Sequence, residues 1–266
     1  MKQYPLHLCQ PDDNKSCGAC CGLYNVEDHS RETLRSLLKQ RTELFFSSGE
    51  NPDVASCRRK IQALSVTPKL CETIHNCEFL GFVDGGEQKV GCMLHPVLHQ
   101  GRDLRSCSFY GAELCAKHFC ISYTSLTTVE QAAVICSLDD WHLYGFVLTD
   151  VDFVKAFFTH AQNRMGDSVR ADKLEKVPVQ SALRDYFSLK GNWKFPANDN
   201  RLGKYCFSQA EYRIARIDYE KNWDMRPSPF DSIFVSLASA FNSEDEVLEA
   251  EAMIEEKLRR FIEVCR

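Results

Sequence analysis

Cys17-Gly-Ala-Cys20-Cys21-Gly22 is the stretch on which the reading of this chain turns. A Cys-x-x-Cys turn lets two thiolates reach one metal centre while backbone N–H groups stay available to the sulfurs. Gly18 and Gly22 permit the tight backbone this needs. Cys21 stands apart. Adjacent side chains diverge, so Cys20 and Cys21 do not share one mononuclear ion in ideal geometry. The pair therefore points to a multi-iron cluster, to two sites, or to one structural thiol. A single short turn does not complete four-coordinate ligation, so further ligands are expected from Cys77, Cys92 and Cys107. Cys115-Ala-Lys-His118-Phe-Cys120, with Cys9 and Cys71, offers second-tier candidates for a second site or for the rest of the first.

The chain has 266 residues and 14 cysteines. Eleven of them fall in residues 1–120, leaving only Cys136, Cys206 and Cys265 beyond. Clustered thiols without an export signal read as metal ligands in a reducing compartment, so a cytoplasmic location is expected. The first fifteen residues hold no apolar run of signal-peptide length, and no segment approaches 18 apolar residues, so no membrane association is expected. Net charge is −5, and residues 1–125 balance 14 acids against 14 bases. That balance argues against a nucleic-acid partner. Arg58-Arg59-Lys60 reads as a solvated helix face. Phosphate-loop, dinucleotide, His-Glu-x-x-His and serine-elbow motifs are missing from the sequence.

The fold class expected is α+β, mainly α. Residues 1–125 read as an irregular cysteine-rich metal-binding domain with a β-hairpin, packed on a helical domain of residues 126–266. Residues 1–29 are loop-like. Ser30 caps a helix over 31–47 with Leu34, Leu37, Leu38, Leu44 and Phe45 on one face, and a short helix over 53–64 follows the break at 47–52. Residues 77–83 and 89–94 flank a Gly-rich turn as a hairpin, which frames Cys77 and Cys92. Beyond 126, helices are expected over 128–138, 140–148, 150–164 and 180–190. Ser208-Gln-Ala-Glu211 fits a capping box opening a helix to about 222, and Ser243-Glu-Asp-Glu246 opens the last.

The order Cys-Gly-x-Cys-Cys, Cys-x-Phe-Leu, Gly-Cys-x-Leu-x-Pro, then a Cys before Ser-Phe resembles the bacterial YkgJ-like cysteine-cluster family, a zinc- or iron-chelating domain. The resemblance covers about residues 9–120 and implies ligation by Cys17, Cys20, Cys21, Cys77, Cys92 and Cys107. Two departures stand out. Asn14 occupies the place of a frequent family cysteine, and His95-Pro96 replaces an Arg-Pro pair. A weaker similarity to flagellin lysine-N-methylases implies a cluster-containing methyl-transferring enzyme.

The cofactor expected is an iron–sulfur cluster, with zinc as the alternative, because more cysteines are present than one zinc needs. The role expected is metal binding, structural or redox, with an unknown protein partner or substrate. The alternative is a modifying enzyme, with Trp141, His142, Tyr144, Trp193, Tyr205, Tyr212 and Trp223 as possible pocket liners.

Overall fold

The computed structural model describes residues 7–47, 49, 51–64, 67–197, 201–208 and 211–266. The chain divides into two compact units: Met1–Cys120 with Asp140–Gly145, and Ile121–Asp139 with Phe146–Arg266. The division is not a single cut, because residues 140–145 return to the first unit. The fold is α+β and mainly helical, with antiparallel sheets of two and three strands. Among the described residues, no helix is long and apolar enough to cross a membrane.

In the first unit, α1 (Arg31–Phe46) starts where the Ser30 side chain accepts the Thr33 N–H. It buries Leu34, Leu37, Leu38 and Phe45, the stripe the 3.6-residue period predicts. α2 (Val54–Gln62) begins at Asp53, whose carboxylate accepts the N–H groups of Ala55 and Ser56. Part of the expected break between them, residues 48 and 50, lies outside the described residues, as do residues 1–6 of the N-terminal loop.

β1 (Leu80–Phe82) and β2 (Val90–Cys92) form the hairpin, with Leu80 opposite Cys92 and Phe82 opposite Val90. α1 lies tightly on it. The Thr42 hydroxyl accepts the Phe82 N–H at 2.7 Å, and a side chain on Gly81 would run into Met93 and Thr42. Phe45, Cys57, Ile61, Cys77, Phe79, Met93 and Leu94 make one buried cluster. Residues 95–125 read as irregular apart from one helical turn after Pro96; the structure has that turn at Pro96–His99 and adds α3 (Gly111–Lys117) and a short helix at Ser122–Ser125.

The second unit runs α4 (Ser122–Ser125), α5 (Thr128–Ser137), the end of α6 (Trp141–Leu148), α7 (Val151–Met165), α8 (Val177–Phe187) and α9 (Leu189–Asn192). Then come β3 (Arg201–Leu202), β4 (Tyr205–Phe207), β5 (Tyr212–Ile214), α10 (Tyr219–Trp223), α11 (Asp231–Ser236) and α12 (Glu244–Cys265). Its core is aromatic: Phe153 and Phe157 stack on Tyr186, and Phe261 of α12 meets Phe157 edge-on. Asp150 caps α7 through the Phe153 N–H and pairs with the buried Lys190 at 2.5 Å.

One helix expectation fails. Ser208 does not open a helix: its hydroxyl donates to the Glu211 carbonyl, and the flanking residues pair as β4 and β5. Tyr205, Phe207, Tyr212 and Ile214 are β-formers at alternate positions, and their cross-strand pairing outweighs a local capping signal.

Candidate metal centre

The Cys17–Gly22 stretch forms a single 3₁₀ turn, Ala19–Cys21, closed by the Cys21 N–H to Gly18 and the Gly22 N–H to Ala19. Its glycines sit where side chains have no room. Gly18 lies against Leu80 and Val90 of the hairpin. Gly22 has φ +79, and a Cβ there would come 2.5 Å from the His75 carbonyl oxygen and 2.8 Å from Asn76 Cα. The turn is therefore wedged between the hairpin and the segment leading into it. The buried Ser16 hydroxyl accepts the Val90 N–H at 2.6 Å, and the Cys77 N–H reaches the Cys21 carbonyl at 2.9 Å.

Asn25 is the second fastening. Its side-chain oxygen accepts the Cys71 N–H at 2.9 Å, and its amide nitrogen donates to the Cys71 carbonyl and to Asn76. Asn76 in turn donates to the Asn25 carbonyl. Asn25→Ala strips these bonds from a buried site and should lower unfolding free energy by about 2 kcal/mol or more. Urea unfolding measures it, and a change under about 0.5 kcal/mol would show that the network is dispensable.

Around this frame the thiols fall into two sets. Cys17 and Cys20 face Cys9 and Cys120. Cys21 faces Cys77, Cys92 and Cys115 first, and Cys17 after them. In the first set, the Cys17 N–H bonds the Cys9 carbonyl at 2.8 Å, and Cys20 is hydrogen-bonded to Cys120. Gly145 lies directly beside the Tyr24 hydroxyl and Cys17, and the Tyr144 hydroxyl holds the Leu8 carbonyl next to Cys9 at 2.8 Å. In the second set, Cys21 and Cys92 pack on the cluster that contains Cys77. Cys115, from α3, has its Sγ 3.3 Å from the Ser108 hydroxyl oxygen.

A repeated local device serves three of these sulfurs. The N–H of the residue two further on points at each: Ala19 at Cys17, Phe79 at Cys77 and Leu94 at Cys92. Such donors favour the thiolate, but they are outweighed. Burial first, and neighbouring sulfurs after it, push the Cys17 and Cys77 thiols up to about 12 and Cys92 to about 11. Cys21 is raised well above the ordinary range by burial and then by Cys77. Cys20 is raised by its hydrogen bond with Cys120 and then by burial. These groups stay neutral unless a cation joins them, and a bound metal ion reverses that balance. The donor set thus fits a thiophilic metal or an iron–sulfur cluster.

The other candidates are placed differently. Cys107 is exposed, as Cys20 and Cys115 also are, and its carbonyl accepts from Arg58. Arg58, expected to be solvated, also holds Glu78 at 2.6 Å. Cys71 is buried, with its sulfur 3.2 Å from the Thr73 hydroxyl oxygen. His99 bonds the Met93 carbonyl, and His95 accepts the Val97 N–H. His142 bonds the His29 carbonyl, Trp141 and Tyr144 are core residues, and the Trp193 indole donates to Ser239.

The sequence reading missed His75 and Glu78. With Cys77 they form a group whose donor atoms all lie within 4.8 Å of one another, a grouping that could hold a metal ion. The spacing His-x-Cys-Glu was its only sequence signal. His75 Nε2 is buried without a hydrogen-bond partner, 3.6 Å from a Glu78 carboxylate oxygen, and burial lowers its pKa against the pull of that carboxylate. Glu78 is already engaged by Arg58, which competes with any ion for that carboxylate. Comparison with family models, with curated proteins and with solved structures gives no match for this chain.

Proposed function

We propose that this chain is a cysteine-ligated iron–sulfur protein whose first unit is organised by its metal, in a structural or redox role. The observation that carries the reading is the meeting of thiols from five separate segments at the Cys17–Cys21 turn, with backbone N–H groups aimed at three of the sulfurs. Hydrogen bonds of that kind tune cluster potentials and orient ligands. Resemblance to the YkgJ-like family over residues 9–120 points the same way.

Between metals, the number of thiols favours the cluster: eight cysteines around one turn are more than a single tetrathiolate zinc needs. When bound, the cluster supplies one-electron chemistry or a cross-link. The protein's own residues hold it and aim N–H groups at three of its sulfurs.

Oxygen-free purification should yield brown protein with iron and acid-labile sulfide and a broad visible absorption. Colourless protein with stoichiometric zinc and no sulfide would overturn the iron–sulfur reading.

A further inference from the structure

We propose that the first unit holds two separate four-cysteine centres that divide at the Cys20–Cys21 peptide bond: Cys9, Cys17, Cys20 and Cys120 hold one, and Cys21, Cys77, Cys92 and Cys115 hold the other. The inference deepens the iron–sulfur reading and rests on it for the metal's identity, but not for the division of the ligands.

Turn geometry makes the division. In a 3₁₀ helix, side chains three apart eclipse, and neighbours are rotated by about 120°. Cys20 and Cys21 are neighbours within the turn Ala19–Cys21, so their side chains diverge, while Cys17 precedes the turn and joins Cys20 through its neighbours Cys9 and Cys120. The structure follows this rule: Cys20 is hydrogen-bonded to Cys120, whereas Cys21 presents its carbonyl to the Cys77 N–H and packs with Cys92 on the cluster containing Cys77.

Each set has four thiols and a frame of its own besides the shared turn. The first is built from the loop before the turn, where the Cys17 N–H bonds the Cys9 carbonyl and Asp12 accepts the Asn14 and Lys15 N–H groups. The second is built on the hairpin, where Leu80 pairs with Cys92 and the Leu80 N–H bonds the Cys77 carbonyl. Four cysteines are the ligand count of a two-iron or four-iron cluster. A second segment repeats the split. Cys115 lies within α3, Cys120 lies past its end, and the two join different sets. The chain therefore passes from one centre to the other twice, at residues 20–21 and 115–120.

This division assigns Cys115, not Cys107, as the fourth ligand beside the hairpin. The Ser108 hydroxyl oxygen lies 3.3 Å from the Cys115 sulfur and donates its own proton to the Arg105 carbonyl at 2.7 Å.

The test uses the full chain, purified without oxygen, as wild type and as Cys115→Ser, Cys120→Ser and Cys107→Ser. The result expected is that Cys115→Ser and Cys120→Ser each lose half of the metal, that their residual electron-paramagnetic-resonance signals after dithionite differ, and that Cys107→Ser keeps all of it. Dithionite-reduced wild type should show spin–spin broadening absent from both half-loaded variants, a readout that does not depend on how a variant folds. Loss of the same single signal from both variants, an unbroadened wild-type spectrum that integrates to one spin at full reduction, or half-loss in Cys107→Ser would overturn the division. Two zinc ions per chain, halved by each variant, would sustain the division while overturning the iron–sulfur reading.

Discussion

Gly22→Ala should be among the most damaging single-methyl changes in the first unit. Two costs add. The left-handed backbone at φ +79 disfavours any Cβ by about 1–2 kcal/mol. The added carbon also meets the His75 carbonyl oxygen and Asn76 Cα, which are backbone atoms and cannot swing aside. Overpacking of that kind costs about 1–3 kcal/mol, so about 2–5 kcal/mol is expected in all. The damage is directional. Relief comes by pushing the turn off residues 75–76, which breaks the Cys77 N–H bond to Cys21 and parts two sulfurs of one thiol set. Metal content should fall together with the melting temperature. Gly85→Ala is the control: Gly85 has φ +70 with nothing within 4 Å of the added carbon, so it should cost only the backbone strain and keep all metal. Equal behaviour of the two variants would show that crowding at residues 75–76 does not hold the site.

Metal removal should have the largest effect of all. On the proposed reading the thiols of the first unit are held together by metal, so metal binding and folding are one equilibrium there, worth on the order of 10 kcal/mol in structural thiolate sites. A chelator with reductant should melt the first unit, whereas the second, with its Phe153–Tyr186–Phe157–Phe261 core, keeps its helical signal. Calorimetry should show one early transition replacing a later one. A melt unchanged by chelation would sink the coupling.

The pH dependence has opposite signs in the two forms. In metal-free protein, burial raises Cys77 from 9.0 to about 12, so ionisation is opposed in the folded state. Stability is therefore intact below about 9 and falls as pH climbs toward about 12, by about 4 kcal/mol at most for this thiol. In metal-loaded protein, acid is the threat, because protons compete with the metal for the sulfurs.

Much of the architecture was legible in local pattern. Ser30 and the leucine stripe behind it specify α1, because a cap and a 3.6-residue period are properties of adjacent residues. The alternation around the Gly-rich turn specifies the hairpin for the same reason. The second hairpin was hidden because Ser208 and Glu211 imitate a cap, while the pairing of Tyr205 with Ile214 is a cross-strand fact. Asn25 gave no sign in the sequence: its partners lie about 50 residues away.

The amino-acid sequence alone determined that thiols gather in the first 120 residues, that a Cys-x-x-Cys-Cys turn stands at their centre and that helices follow. Which thiols meet was decided only by the tertiary structure. Cys107 and Cys115 are both plausible by spacing. What separates them is their neighbours in space: Cys115 lies beside Cys21, Cys77 and Cys92, a proximity across distant segments that no local spacing specifies.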